Sequence, residues 1–453
     1  MANSAAPTLL VGQADVYCIE DEKATKIMPR MSGPAMPDQE DAAQEDAGKW
    51  RRGRLAMLCK FSVLDWIRIG LFTAGILCVL TGLLPAAQAE DNLRRIAPLL
   101  LFLGSVIVLA KLTRQAQVFD VIATRISIMG RGNYLALFLL CVAFASLITI
   151  FLNLDTTAVL LTPVMLALAG KARIAALPLA MTTIWLANTA SLLLPVSNLT
   201  NLLAADRVAL AAPAFAARMW LPQLASITAT MLFLWVFYWR RGERSADRYD
   251  PPPPLELRRT PERVLFWVAG AACLLFILAV GFIPQQIGYA AAAAAMIVVV
   301  AYAVLDRTTL RLHLIPWQLL VFVTGLFLVV PTLSRYGLAE MMTALIGTDH
   351  NGAGLYRAAA AGAGLSNVLN NLPAYTAGEA VIPIGNSDQL LALLIGTNVG
   401  PIVTPWASLA TLLCLESCRD HGLRVPLRKF VLTGLGLAVV ALVVSVWALL
   451  LTR

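Results

Sequence analysis

Long apolar segments alternate with short polar ones along the chain, and most apolar segments run for about 20 residues. A segment of that length crosses a hydrocarbon core of about 30 Å as an α-helix. The strands of a membrane β-barrel instead alternate apolar and polar residues with a period of two, which these segments do not show. The uninterrupted segments lie near 63–84, 96–116, 216–239, 264–283, 286–305, 316–337 and 424–450. The pattern therefore predicts an all-α polytopic membrane protein.

Four further apolar stretches are interrupted by polar residues and prolines. Stretch 134–170 breaks near Asn153, and stretch 355–384 breaks at Asn370. We interpret these two as re-entrant hairpins. Stretches 174–208 and 389–416 break at the PVSN sequence of 195–198 and near Thr404, respectively, and predict two broken transmembrane helices. Non-helical backbone at membrane depth is tolerated only where it lines a cavity or is buried in protein. We therefore expect the four breaks to meet at one site midway through the membrane.

Composition excludes several other classes of protein. Hydrophobic residues make up 59% of the 453 residues and charged residues 14%, whereas a soluble chain has about 45–50% and about 25%. The seven cysteines show no CxxC pair and no zinc spacing, so neither a disulfide framework nor a structural metal is indicated. The sequence contains no Walker motif and no cluster of catalytic groups within its apolar segments. We expect no enzyme activity, no cofactor and no bound metal.

The net charge of +8 fits a membrane protein better than a nucleic-acid partner. With both hairpins re-entrant, most Lys and Arg residues fall in loops on one side, among them the arginine-rich segment 240–263. Such an excess marks the cytoplasmic side. Residues 1–55 are polar and too poor in apolar groups to form a core, which predicts a disordered cytoplasmic tail. We expect a multi-pass protein of a cell inner membrane with a cytoplasmic N-terminus and a cytoplasmic linker at 240–263.

The two halves of the chain resemble each other. When the second half is moved back by 210 residues, Asn398 falls on Asn188 and Pro405 on Pro195. Segment 264–283 has no counterpart, and this single extra crossing turns the second half over relative to the first. The sequence therefore predicts inverted-topology repeats at 60–239 and 286–450, joined by a connecting helix. Paired broken helices in inverted repeats are typical of secondary transporters.

Three motifs add a family resemblance. NTASLLLPVSNLTN at 188–201 and GPIVTPWASLATLL at 400–413 resemble two segments of the ArsB arsenite-efflux permeases, and NNLP at 370–373 resembles their second hairpin. In the first hairpin Leu154 separates the Asn and Asp that are adjacent in that family. The resemblance spans roughly 60–450. It places the chain in the ion-transporter superfamily and implies a scaffold domain, a mobile transport domain that carries the hairpins, and alternating access.

Two acidic residues are candidates for proton coupling. Asp155 lies at the tip of the first hairpin, where a carboxylate is costly unless it is hydrated, paired or protonated. It could instead, or in addition, cap the following helix through its side-chain oxygens. Glu379 lies in the second arm of the second hairpin. It is either a second proton or cation site or a group that faces outside water.

Uncharged polar residues recur at the breaks and are candidates for substrate binding. Amides and hydroxyls offer donors and acceptors without charge, which suits a neutral hydroxylated solute such as arsenous acid. The same groups could instead cap broken helices and join helices together. The candidates are Asn153, Thr156, Asn188, Ser197, Asn198, Asn370, Asn371, Asn398, Thr404 and Ser408.

The sequence thus favours a carrier that exports arsenite and antimonite in exchange for protons. The partners expected are arsenous acid, protons and membrane lipid, with no nucleic acid. A separate ATPase subunit and a homodimer stay open. The alternative is another carrier of the superfamily, for a dicarboxylate or citrate, or a sodium–proton antiporter. A channel or a membrane-embedded enzyme is disfavoured, because a channel does not need matched breaks and an enzyme needs a catalytic constellation.

Overall fold

The structure is a computed structural model that describes residues 63–240, 248–255, 259–282, 286–347, 349 and 351–452. All regular structure in these ranges is helical, and eight of the helices are long and apolar enough to cross a membrane. The predicted all-α polytopic fold is therefore confirmed. The tail predicted at 1–55 lies outside the described residues. Large apolar side chains such as Leu275, Val304 and Trp267 are exposed on the helix surfaces, as expected where lipid is the solvent.

The described residues of the first half form eight α-helices and a short 3-10 helix at Pro195–Ser197. They are α1 Val63–Leu80, α2 Ala86–Gln115, α3 Val118–Met129, α4 Tyr134–Leu152, α5 Leu154–Lys171, α6 Ala176–Thr189, α7 Leu199–Arg207 and α8 Ala212–Trp239. The sequence did not predict α3, which is short and amphipathic. Its buried side includes Val118, Phe119 and Ala123. A 12-residue helix with Asp120 and Arg125 lacks the continuous apolar run that marks a span.

The part of the second half that the structure describes forms a further eight α-helices, with short 3-10 helices at Arg307–Thr309 and Leu312–Leu314. They are α9 Thr260–Phe282, α10 Ile287–Leu305, α11 Trp317–Ile346, α12 Gly352–Leu369, α13 Asn371–Glu379, α14 Ser387–Val399, α15 Leu409–Asp420 and α16 Leu427–Leu451. Helix α11 is kinked at Gly337, whose φ is 104°. Helix α9 occupies the position predicted for the connecting helix. The exact limits of the repeats and of the linker stay predictions.

Asn153 and Asn370 reverse the chain at the tips of the two hairpins in nearly the same conformation. Asn153 has φ 83° and ψ 166°, and Asn370 has φ 104° and ψ 155°. Residues other than glycine rarely adopt positive φ, and asparagine tolerates it better than most. Each side chain accepts a hydrogen bond from the start of the next helix, at Thr156 N and Leu372 N respectively. If the two halves are copies of one unit, equivalent positions should share an unusual backbone conformation, and these two asparagines do.

The first hairpin folds back on itself directly after its tip. The hydroxyls of Thr149 in α4 and Thr157 in α5 lie 2.9 Å apart, although eight positions separate them in the chain. Helix α3 packs against both arms of this hairpin, near the beginning of α4 and against the end of α5. The two arms therefore begin and end on the same side, which is the geometry of a re-entrant hairpin.

The two broken helices pair reciprocally across the halves. Asn188, near the end of α6, donates through Nδ2 to Thr411 Oγ1 at 3.1 Å, and Asn398, near the end of α14, donates to Asn201 Oδ1 at 2.6 Å. Positions 188 and 398 correspond under the 210-residue offset, and so do positions 201 and 411. When residue i of the first copy contacts residue j of the second, and the equivalent of i in the second copy contacts the equivalent of j in the first, the two copies are related by a two-fold axis. Side-chain contacts therefore support the inverted repeat, in addition to the similarity of the two sequences.

Glycine allows α14 to approach α12 closely. A Cβ on Gly396 would overlap the carbonyl oxygen of Ala359 in α12, whereas a Cβ on Gly364 would meet no atom within 4 Å. We expect Gly396→Ala to destabilise the protein by about 1–3 kcal/mol because two helix backbones must separate. Thermal unfolding in detergent measures the effect, with Gly364→Ala as the matched control. Equal melting temperatures for the two variants would contradict this packing argument.

Candidate functional site

Both hairpin tips and both broken helices contribute to one small cleft, which we call the tip cleft. Its volume is about 30 Å³. The first hairpin contributes Leu154 and Asp155, and the second contributes residues 370–372. The second segments of the broken helices contribute Asn198 and Leu199 from one half and Leu409 from the other. The cleft is therefore enclosed by elements of both halves.

Helices α2 and α11 form the opposite wall of the tip cleft. Leu103 of α2 and Phe322 of α11 line it. Leu103 lies near the middle of the 30-residue helix α2, so the cleft lies about halfway along a helix long enough to span the membrane. Among the described residues that line the cleft, Asp155 is the one that carries a charge. An otherwise uncharged cleft makes that carboxyl group the dominant electrostatic feature of the site.

Asp155 also lines a larger cavity, which we call the Asp155 cavity. This cavity has a volume of about 310 Å³ and is lined by Arg68, Lys111 and His313 as well as Asp155. Lys111 Nζ donates to the carbonyl oxygens of His313 and Leu314 at 3.0 and 3.1 Å. Arg68 interacts electrostatically with Asp155. One carboxyl group thus borders both the tip cleft and a cavity that carries cationic side chains.

Thr156 lies beside Asp155 and also lines the Asp155 cavity. Its backbone N–H donates to Asn153 Oδ1 at 2.9 Å, whereas its hydroxyl is buried without a hydrogen-bond partner among the described residues. An unpaired buried hydroxyl costs about 1–3 kcal/mol. Asn153 itself is 2% exposed and serves as the cap of α5. Of these two candidates, only Thr156 has an unused polar atom beside the cavity.

A cluster of four uncharged polar side chains joins the broken helices. Asn398 Oδ1 accepts from Asn198 Nδ2 at 3.0 Å and from Thr200 Oγ1 at 2.8 Å, while Asn398 Nδ2 donates to Asn201. Apart from Asn198, which is 3% exposed, these side chains are fully buried. We call Asn198, Thr200, Asn201 and Asn398 the amide cluster. It forms a rigid connection between α14 and α7.

Asn367 and Thr404 join the second hairpin to the second broken helix. Asn367 Oδ1 accepts from Thr404 N at 2.9 Å, and its Nδ2 donates to Gly400 O at 2.9 Å. Asn370 Nδ2 donates to Trp406 O at 3.0 Å, and the backbone N–H of Asn371 donates to Ala407 O at 2.8 Å. The sequence analysis did not single out Asn367. Its position one helical turn before the tip was the available signal.

Of the remaining polar candidates, Ser197 and Asn188 make hydrogen bonds within the protein, whereas Ser408 makes none from its hydroxyl in the described part of the chain. Ser197 Oγ donates to the carbonyl oxygen of Ile150 at 2.8 Å. Asn188 donates to Ile184 O and Thr411, and its own Oδ1 has no partner among the described residues. The buried hydroxyl of Ser408 likewise has none. None of these three lines the tip cleft, so a role for them in substrate contact stays a prediction.

Glu379 lies in a different cavity from Asp155. This third cavity, which we call the Arg95 cavity, has a volume of about 410 Å³. Arg95 donates through Nη2 to Glu379 at 2.8 Å and through Nε to Asp206 at 3.0 Å. The Glu379 side chain is 6% exposed and that of Asp206 is 58% exposed. Arg95 therefore connects α2 with the end of the second hairpin and with the end of α7.

The two ion pairs of Arg95 should differ in energy. Glu379→Gln removes the buried partner, and we expect it to destabilise the protein by about 1–3 kcal/mol. Asp206→Asn removes an exposed partner and should cost about 0–1 kcal/mol. Thermal melts of both variants at low and high salt measure the difference. A larger loss for Asp206→Asn would contradict the assignment of Glu379 as the stronger anchor.

Comparison with known proteins defines the family. Residues 61–389 match the citrate transporter family, CitMHS. The chain belongs to this family. An arsenical pump membrane protein of Escherichia coli is 29% identical over 373 residues, which cover 77% of this chain and 84% of that protein. A putative arsenical pump membrane protein of Bacillus subtilis is 23% identical and covers 66% of this chain. The resemblance to arsenite-efflux permeases that the motifs predict is thus confirmed.

A solved structure supports the fold of this family member. The chain matches the YdaH transporter of Alcanivorax borkumensis, whose crystal structure is described as having an unusual topology, with a TM-score of 0.51 and 14% identity. The match covers 86% of this chain and 97% of that one. A likeness at this identity concerns the fold alone. With the family match, it identifies the chain as a multi-pass membrane transporter.

Proposed function

We propose that this transporter exports arsenite and antimonite across a cell inner membrane, with its N-terminus in the cytoplasm, and that inward proton movement drives the export. One observation carries the proposal. Asp155 borders both the tip cleft and the Asp155 cavity, and it is the acidic residue among those that line the two. The relatives described as arsenical pump membrane proteins support the choice of solute.

Asp155 is suited to couple proton and solute because its charge is costly in an apolar cleft. A carboxylate in the membrane interior needs a proton, water or a cation nearby. Arg68 across the Asp155 cavity supplies the cation when the carboxyl group is ionised. Protonation removes the need for Arg68, so the proton and this cation compete for one group. We assign Asp155 as the proton carrier and Arg68 as its internal counter-ion.

The tip cleft suits a neutral hydroxylated solute. Arsenous acid is mostly uncharged at neutral pH and presents hydroxyl groups that both donate and accept hydrogen bonds. Asn198, Asn370 and Asn371 line the cleft with amide groups of the same capacity. The present volume of about 30 Å³ holds about two water molecules. The cleft must therefore widen to admit the solute, which alternating access provides.

The hydrogen-bond pattern suggests which parts move together. The amide cluster and the bonds of Asn367 join the broken helices and the second hairpin into one unit. Helices α2 and α11 face that unit across the tip cleft through apolar side chains such as Leu103 and Phe322. The ion pairs of Arg95 with Glu379 and Asp206 also join α2 to the unit and would have to break in the movement. Apolar contacts slide more easily than hydrogen-bonded ones. We propose that the unit moves against α2 and α11.

A citrate-type carboxylate carrier is the second candidate. It is favoured by the family match and by Arg68 and Lys111, which line the Asp155 cavity and could attract an anion. The tip cleft itself carries no cation among its described lining residues, which favours the neutral solute. A sodium–proton antiporter is the remaining alternative.

Transport by the full-length protein in reconstituted vesicles tests these candidates. Arsenite, citrate and sodium fluxes are measured separately under an imposed pH gradient and under an imposed sodium gradient. The proposal expects arsenite movement that follows the pH gradient and does not require sodium. Citrate movement, or an absolute need for sodium, would replace it with one of the alternatives.

A further inference from the structure

The Arg95 cavity contains more positive than negative charge. Arg95, Arg207 and Arg335 line it together with one carboxylate, that of Glu379. Arg95 already has two carboxylate partners, Glu379 and Asp206. Even when Asp206 is counted, although it does not line the cavity, three guanidinium groups face two carboxylates. The cavity therefore keeps a positive charge that its own side chains do not balance.

Arg207 and Arg335 are the two arginines left without a carboxylate partner. Among the described residues, no carboxylate oxygen lies within 4.0 Å of either guanidinium group. Arg207 Nε is buried and has no hydrogen-bond partner in the described part of the chain, although the group feels the longer-range attraction of Glu379. Within the described residues, the acceptor of Arg335 is a neutral one, Gln88 Oε1, at 3.2 Å. Both groups have donors available for an anion.

The guanidinium groups suit an oxyanion, whereas the neutral polar groups that line the cavity are already engaged. Ser334 and Thr376 donate their hydroxyl protons to the carbonyl oxygens of Val330 and Leu372, and Asn92 donates to Phe327 O at 3.5 Å. Guanidinium groups bind phosphate-type oxyanions through paired N–H···O bonds. A volume of about 410 Å³ accommodates a small tetrahedral anion with several waters. The lining thus combines charge, donor geometry and space for one class of ligand.

We propose that the Arg95 cavity is a binding site for a phosphate-type oxyanion, held by Arg207 and Arg335. The anion is either free in solution or the headgroup of a lipid. Bound there, it would connect the end of α7 with α11, beside the connection between α2 and the second hairpin that Arg95 and Glu379 form. The site lies apart from the tip cleft, since the two share no lining residue. It is therefore distinct from the tip cleft proposed for the neutral solute.

Equilibrium binding of radiolabelled inorganic phosphate to the full-length protein in detergent tests the proposal. Saturable binding is expected for the native chain. Arg207→Gln and Arg335→Gln should each weaken it by about tenfold, since one hydrogen-bonded charge contributes to about that extent. Arg94→Gln is the matched control, because Arg94 neighbours Arg95 in sequence, is 76% exposed and pairs with Glu90. This control should bind phosphate as the native chain does.

Two further measurements keep the test decisive. Elution volume and melting temperature show whether a variant is folded. If Arg335→Gln does not fold, Arg335→Lys replaces it, because lysine retains the charge. In detergent, a short-chain phosphatidylglycerol should displace radiolabelled phosphate if a lipid headgroup occupies the cavity, and should leave the phosphate bound if the site takes the free anion. Absence of saturable binding, or equal binding by the native chain and both glutamine variants, would overturn the proposal. Binding is measured without transport, so the result is independent of the proposed solute.

Discussion

Asp155→Asn should abolish arsenite transport driven by a pH gradient while leaving the protein folded. The amide keeps the size of the carboxyl group but cannot take up or release a proton, so the coupling between gradient and solute is lost. Asp155 lines both the tip cleft and the Asp155 cavity, and no other acid lines either one in the described part of the chain. We expect gradient-driven uptake into everted vesicles to fall at least about 100-fold, as when an essential acid–base group is removed.

The control for this prediction is a second acid that lines neither space. Asp120 lies in α3, in the first turn of that helix, and Asp120→Asn should retain gradient-driven transport. Exchange of arsenite across vesicles without a pH gradient separates coupling from binding, because it needs no net proton movement. Asp155→Asn vesicles that respond normally to the gradient would remove Asp155 from the proposed mechanism.

Asn398→Ala should produce the largest loss of stability among the variants considered. The substitution removes three hydrogen bonds and leaves Asn198, Thr200 and Asn201 with unsatisfied polar atoms in a buried setting. Each unsatisfied buried group costs about 1–3 kcal/mol, so a total of about 3 kcal/mol or more is expected. Because the amide cluster joins α14 to α7, the loss should also loosen the unit that we expect to move.

Thermal unfolding in detergent measures this effect. Asn92→Ala is the comparison, since Asn92 makes one 3.5 Å bond to Phe327 O at the edge of the Arg95 cavity, and its loss should lower the melting temperature little. The double variant Asn198→Ala with Asn398→Ala should cost less than the sum of the single variants, since both belong to one network. Strict additivity would mean that the amide cluster is not a unit.

The hydrophobic pattern and its breaks predicted the hairpins and the broken helices, and the comparison of the two halves at a 210-residue offset predicted their matched positions. Those features depend on local properties: a run of apolar residues forms a span, and Asn153, Asn370 and the prolines interrupt it. Helix α3 was missed for the same reason, because it is short and amphipathic and packs at the base of the first hairpin. Local pattern gives little information about such helices.

The contacts between distant parts of the chain could not be predicted in this way. Glu379 was a candidate for proton coupling together with Asp155, yet it pairs with Arg95, which is 284 positions away in the chain, in a separate cavity. Thr200 and Asn201 were not singled out, because a polar residue in a broken helix signals its importance only when its partner is known. The roles of the candidate residues in transport stay predictions until the variants are measured.

The reciprocal pairing of Asn188 with Thr411 and of Asn398 with Asn201 has a consequence for how the sequence can change. Each pair takes one residue from each half. A substitution in one half alone would therefore leave a buried polar atom in the other half without a hydrogen-bond partner. A library that randomises positions 201 and 398 together should yield functional combinations that single-site libraries lack. The residues that the two repeats contribute to these pairs are therefore expected to change together.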